Sequence, residues 1–197
     1  VLGQGRVHGR QPLGERAEAS LTAFRLEMRD EIAYNAYAMR NENMDDTRRQ
    51  GVEARVGWTW PDRLRWDANY TFQDAVFTEG PNDGCTVPLV PRHKAVLAAR
   101  LDLPANLALD GVGTYVGRQR LGGDYANTGD WLDAYPRVDL ALRYRPARLA
   151  AFGLEAFAGL DNVFDRLYAE SGYMGWVDES FAGVYYPAPG RVWKAGV

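Results

Sequence analysis

The feature that most limits what this chain can become is a period-two alternation, carried by seven long stretches whose two faces differ in kind. Over residues 64–72 one face carries Leu64, Trp66, Ala68, Tyr70 and Phe72, and the other Arg65, Asp67, Asn69 and Thr71. Val52, Ala54, Val56, Trp58 and Trp60 likewise oppose Glu53, Arg55, Gly57 and Thr59. Ala95, Leu97, Ala99, Leu101 and Leu103 oppose Lys94, Val96, Ala98, Arg100 and Asp102; Val138, Leu140, Leu142 and Tyr144 oppose Arg137, Asp139, Ala141 and Arg143. In the first stretch Thr22, Phe24, Leu26 and Met28 read as the apolar face, against Ala23, Arg25, Glu27 and Arg29. Residues 107–115 and 152–160 alternate more loosely, 191–197 begin a further strand, and 1–10 read as a ninth. Successive side chains of a strand point to opposite faces, so the chain reads as all-β with one apolar and one polar face.

The connections alternate as strictly as the faces. Pro61-Asp62-Arg63, Pro104-Ala105-Asn106 and Pro146-Ala147-Arg148 read as tight turns, whereas 31–50, 75–92, 118–135 and 162–190 read as long loops. A soluble sandwich gives loop length no reason to track parity; an outer-membrane barrel has short periplasmic turns and long extracellular loops. Alternating runs of about nine to eleven residues also match a tilted strand crossing the hydrocarbon layer. Trp58, Trp60, Trp66, Tyr70, Phe72, Tyr115, Tyr135 and Tyr144 sit near strand ends, where interfacial girdles place aromatics. The pattern alone leaves a soluble antiparallel barrel as the rival reading. Loop parity and strand length favour an antiparallel transmembrane β-barrel, here an open piece of about eight strands with its charged face lining the lumen.

Composition removes other classes. No run approaches the roughly 18 uninterrupted apolar residues of a spanning helix. A net charge of −3 without a basic stripe gives no footprint for nucleic acid. The only histidines are His8 and His93, and no serine or cysteine has a nucleophile setting, so no catalytic residue, metal ligand or cofactor is expected. His93 reads as a solvated residue at a loop base. Cys85 is alone in the chain and is either a free thiol or the partner of a cysteine elsewhere in a longer protein. The chain starts at Val1 without methionine or signal peptide, and truncation is the expectation for a spanning barrel.

Certain segments bring a family with them. DDTRRQGVEA at 45–54, VPLVPRHKA at 87–95, VDLALRY at 138–144, FAGLDNVFDRLY at 157–168 and YPAPGRVWKAGV at 186–197 resemble, in order and spacing, the barrel of TonB-dependent receptors. The resemblance covers residues 17–197. It implies a 22-stranded barrel, a plug and a TonB-engaging segment outside this sequence, so that residues 1–197 form a C-terminal portion of the barrel with both ends clipped. It implies an outer-membrane receptor that takes up a scarce bulky ligand, such as a ferric siderophore, a corrinoid or another metal complex, by TonB-coupled transport. The implied partners are the inner-membrane TonB complex, the barrel-assembly machinery, outer-membrane lipid and the metal chelate. A passive porin-like channel is the alternative, and a soluble ligand-binding barrel a more distant one.

Function on such a scaffold belongs to the long loops. Tyr168, Tyr173, Trp176, Asp178, Tyr185 and Tyr186 in the last loop suit stacking on a flat ligand and attraction of cationic groups, although aromatics also fold loops onto themselves or sit at the interface. Asp45, Asp46, Glu79, Asp83, Asp124, Asp130 and Asp133 make the other loops acidic. Asn162, in the turn Asp161-Asn162-Val163-Phe164-Asp165, and Pro187, Pro189, Gly190 and Arg191 read as architecture.

Overall fold

The computed structural model describes residues 3–12, 14–35, 39–61, 63–146 and 152–197. Nine strands pair in one antiparallel sheet, each hydrogen-bonded to its neighbour along the chain: β1 (Gly3–Pro12), β2 (Ala17–Met28), β5 (Thr47–Trp60), β6 (Leu64–Phe77), β7 (His93–Leu103), β8 (Leu107–Val116), β11 (Tyr135–Tyr144), β12 (Ala156–Asp161) and β15 (Val192–Gly196). The missing numbers are short elements inside the long connections: β3 (Ile32–Asn35) with β4 (Arg40–Asn43), β9 (Gln119–Arg120) with β10 (Trp131–Leu132), and β13 (Ala169–Val177) with β14 (Ser180–Pro187).

The register explains why these residues form one sheet. Across β5, β6 and β7, Val56 faces Ala68, which faces Leu97; Trp58 faces Trp66, which faces Ala99. The line continues through Gly113 and Val138, and through Gly111 and Leu140. One apolar face therefore runs unbroken over five strands, and a one-residue slip in any pair would put charges into it. Trp58, Trp66 and Tyr144 mark one end of this face, and Tyr70, Phe72 and Tyr115 the other.

The opposite face is ionic. Arg65, Asp102, Arg100, Asp110, Arg143, Glu155 and Arg145 form a continuous ladder from β6 to the connection after β11. Arg55–Asp67, Arg10–Glu18 and Lys194–Asp161 add to it. Such solvent-screened pairs add little to stability, so the ladder fixes side-chain positions more than it holds the sheet together. Glu155, in the connection before β12, is held below the usual carboxylate range by the hydrogen bond from Arg143 and then by that from Arg145.

Long and short connections alternate, and antiparallel order puts all four long ones, 29–46, 78–92, 117–134 and 162–191, at the same end of the strands. The short ends include Pro104-Ala105-Asn106, where Ala105 and Asn106 both adopt left-handed φ. The expected turns around Asp62 and at Ala147-Arg148 include positions outside the described residues. Residues 1–10, read as a ninth strand, contribute to β1 from Gly3 onward.

Two expectations need correction. The strand expected over 152–160 begins only at Ala156. In β2 the faces are reversed: Ala17, Ala19, Leu21 and Ala23 lie in register with Trp58, Val56, Ala54 and Val52 on the apolar face. Phe24, Leu26 and Met28 belong to the ionic face, opposite Gly51, Arg49 and Thr47. The reason is local. Gly51 leaves the space into which the Phe24 ring packs, its Cζ lying 3.0 Å from where a Cβ on Gly51 would stand.

Candidate functional site

The four long connections are tied to one another before they form a site. Phe77, Ala75 and Val87 are buried at the top of β6, with Met44, Cys85, Val90 and Tyr125 packed around them. Tyr125 meets Phe77 edge-on, with ring centroids 5.9 Å apart. Burial and the neighbouring Glu42 push the Tyr125 hydroxyl pKa upward, so the phenol stays neutral. Asn127 pairs with the backbone of Thr86 like a strand neighbour, accepting from its N–H at 2.7 Å and donating to its carbonyl at 2.9 Å. Asp124 accepts from the N–H groups of Thr128 and Gly129 and is ion-paired with Arg120. Arg118 and Arg120 both lie over the Trp131 ring, at 4.5 and 4.0 Å from its centroid.

The β13–β14 hairpin docks onto this platform. Gly122 bridges Tyr173 in parallel, donating to the Gly172 carbonyl at 2.9 Å and accepting from Met174 at 2.7 Å. Leu121 is wholly buried under the hairpin. Cβ atoms on Gly172 and Gly183 would lie 2.7 and 2.8 Å from its two methyl groups, and at Gly172 the backbone of Val184 is as close, so bare backbone is required there. Gly172→Val is expected to release the hairpin, because its Cβ would also sit 2.7 Å from the Val184 carbonyl oxygen. Limited proteolysis should then cleave within 169–187 at least tenfold faster than in the parent, with the nine-stranded sheet intact.

Between platform and hairpin lies a pocket of about 700 Å³. Tyr173, Trp176 and Tyr186 line it from the hairpin, Tyr34 from the first long connection and Tyr125 from the third. Met39, Met44 and Met174 complete the wall with Val87, Pro88 and Leu89. Among the described residues, the one charged side chain on the lining is Arg49 of the ionic face. Its guanidinium donates to Glu31 at 2.8 Å, and Glu31 also accepts from Thr47. Tyr173 and Tyr186 lie with ring centroids 5.7 Å apart, and Trp176 meets Phe181 edge-on at 5.5 Å.

Of the six loop residues singled out in the sequence, three come together here: Tyr173, Trp176 and Tyr186. Tyr168 and Tyr185 line a separate recess of about 310 Å³ beside Trp131. Tyr168 stacks on Tyr135 at 4.2 Å, and its oxygen lies 3.4 Å from both Arg137 and Glu170, the geometry of a loop base. Asp178 stands exposed at the hairpin tip with a left-handed φ of 52°. Tyr34, Met39, Met44, Leu89, Tyr125 and Met174 were not legible as site residues. Met174 lies in the hairpin itself, the others reach the pocket from three other connections, and no local spacing marks them. His93 stands exposed at the base of the 78–92 connection, as expected, where it opens β7 opposite Phe72 with Nδ1 2.8 Å from the Tyr70 hydroxyl.

Residues 11–163 match the family described as TonB dependent receptor-like, beta-barrel. The chain belongs to the TonB-dependent receptor family. Members are transport receptors rather than enzymes. The metal-pseudopaline receptor CntO of Pseudomonas aeruginosa PAO1 is 30% identical over 143 residues, covering 67% of this chain and 19% of the relative. The chain thus spans about a fifth of that curated relative. Among solved structures, the unliganded ferric citrate transporter FecA superposes with a TM-score of 0.75 at 18% identity, over 96% of this chain and 30% of its own. The siderophore receptor PiuA from Acinetobacter baumannii gives 0.74 at 19%, over 95% and 27%. The receptor FyuA from Yersinia pestis gives 0.73 at 20%, over 95% and 28%. These superpositions show that this TonB-dependent receptor chain shares the fold of those receptors over 95–96% of its length.

Proposed function

We propose that this chain is a C-terminal portion of an outer-membrane receptor whose outward loops capture a metal chelate for TonB-coupled import. In this reading the apolar face of β5 to β11 meets lipid, the ionic ladder lines the lumen, and the four long connections face the medium. The observation that carries it is the pocket itself. Side chains from all four one-sided connections converge on a single aromatic cavity directly above the ionic face. A passive channel has no need of such convergence. Coupling to TonB, insertion by the barrel-assembly machinery and contact with outer-membrane lipid are part of the proposal.

The first test is location and transport. The full-length gene product should sediment with outer membranes, run as a heat-modifiable band, and import radiolabelled iron chelate only in a strain with functional TonB. Uptake that persists without TonB would favour the passive channel. At the site, Tyr173→Ala combined with Trp176→Ala should weaken binding of the transported chelate about tenfold or more, the value of one to two aromatic contacts. Asp178→Asn, at the exposed tip, should leave it within about twofold in the same equilibrium dialysis.

A further inference from the structure

We infer that the pocket selects chelates of zero or positive net charge that present aromatic surface, and that it rejects polycarboxylate complexes; the inference rests on the receptor reading above. Two independent features point the same way. The first is the lining. Among the described residues, five aromatic rings and three of the chain's four methionines face one cavity, and the sole cation on it, Arg49, is already ion-paired with Glu31. Aromatic faces and polarisable thioethers offer stacking and dispersion to a planar ligand group. They offer no counter-charge to a carboxylate, whose burial against them would leave an unpaired anion.

The second feature is the field at the mouth. The four connections 29–46, 78–92, 117–134 and 162–191 hold seven arginines against fourteen aspartates and glutamates, with no lysine or histidine. The chain as a whole carries only −3, so its negative charge is concentrated at this end while the rest is net basic. Four of the seven local arginines are ion-paired as well: Arg29 to Asp46, Arg40 to Glu42, Arg92 to Asp74 and Arg120 to Asp124. An anionic chelate approaching the pocket meets repulsion at long range and no free cation on the lining. A neutral or cationic complex meets neither obstacle. Shared fold therefore does not mean shared cargo with the ferric citrate transporter.

Three ferric probes separate the contributions. Ferric tris(benzohydroxamate) is neutral and aromatic, ferric tris(acetohydroxamate) is neutral with the same donor atoms and no ring, and ferric citrate is anionic without a ring. Each is dialysed to equilibrium against the whole receptor purified from outer membranes, using radiolabelled iron. The expected order is benzohydroxamate at least about tenfold tighter than acetohydroxamate, with ferric citrate weakest and strengthened by added salt, which screens the repulsion. The benzohydroxamate advantage should disappear in the Tyr173→Ala/Trp176→Ala variant, whose native fold is checked by heat-modifiable mobility. Tight binding of ferric citrate, or equal binding of the two hydroxamates, overturns this inference and leaves the receptor reading standing. Binding of none of the three overturns both.

Discussion

Gly51→Val is expected to prevent the barrel from reaching its stable form. A Cβ at this position would stand 2.1 Å from the Phe72 carbonyl oxygen and 2.9 Å from the Gln73 Cα, both backbone atoms of the neighbouring strand. Neither can retreat independently, because β5 and β6 are paired without interruption from Thr47–Phe77 to Trp60–Leu64. Relief must come from breaking ladder hydrogen bonds or tilting the strands apart, and about 4 kcal/mol or more is a fair scale for that. The full-length receptor carrying Gly51→Val should lose its heat-modifiable band and be degraded. Gly113→Ala is the control: the nearest heavy atom to its added Cβ, the Leu97 carbonyl oxygen, is 4.0 Å away. That variant should unfold in denaturant within about 1 kcal/mol of the parent. A normally folded Gly51→Val receptor would contradict the β5–β6 register.

Asn162→Leu should have the second largest effect, confined to the last long connection. Asn162 is 2% exposed and left-handed, with a φ of 50°. Its side-chain amide donates to the carbonyls of Arg166, at 2.9 Å, and Pro189, at 3.3 Å, while its oxygen accepts from the Arg166 N–H at 3.0 Å. Its own N–H is received by Asp139 on β11 at 2.9 Å. One side chain thus joins the start of the 162–191 connection to its end, beside the strand that flanks it. Leucine removes three hydrogen bonds, leaves buried partners unpaired and strains the left-handed backbone, together about 3 kcal/mol or more. Protease digestion of the full-length variant should cleave within 162–191, and chelate binding should fall with it, while the heat-modifiable barrel persists. Unchanged protection of that segment would show that the clamp does not hold the loop.

Strand number, antiparallel order and the one-sided long loops were legible because they follow from periodicity and from turn residues, which are local signals. The apolar face of β5 to β8 and of β11 was legible for the same reason. In β2 the same reasoning failed. Its apolar face there consists of Ala17, Ala19, Leu21 and Ala23, weak hydrophobes that lose to Phe24, Leu26 and Met28 on any hydropathy count. What decides the face is Gly51 on the partner strand, which periodicity within β2 cannot report. The site was half legible for a comparable reason. The hairpin tyrosines and Trp176 stand out by composition, whereas Tyr34, Met44 and Tyr125 become neighbours only when the first and third connections fold over the same strand ends. Tyr185 shares the hairpin's composition but faces a different recess from Tyr186, because alternation along β14 separates residues that are adjacent in sequence, and Tyr168 precedes β13 and lines that same recess.

The most direct test of the account is which face meets lipid, read by spin labels at paired positions in the full-length receptor in outer-membrane vesicles, after Cys85→Ser. Labels at Val56, Leu97 and Leu101, and at Ala23 rather than Phe24, are predicted to collide with oxygen dissolved in the bilayer and to be shielded from a water-soluble nickel chelate. Labels at Val96, Ala98 and Phe24 are predicted to show the reverse. Equal exposure of both sets to the aqueous reagent would contradict a membrane-spanning wall, and lipid exposure at Phe24 would contradict the register that seats its ring on Gly51.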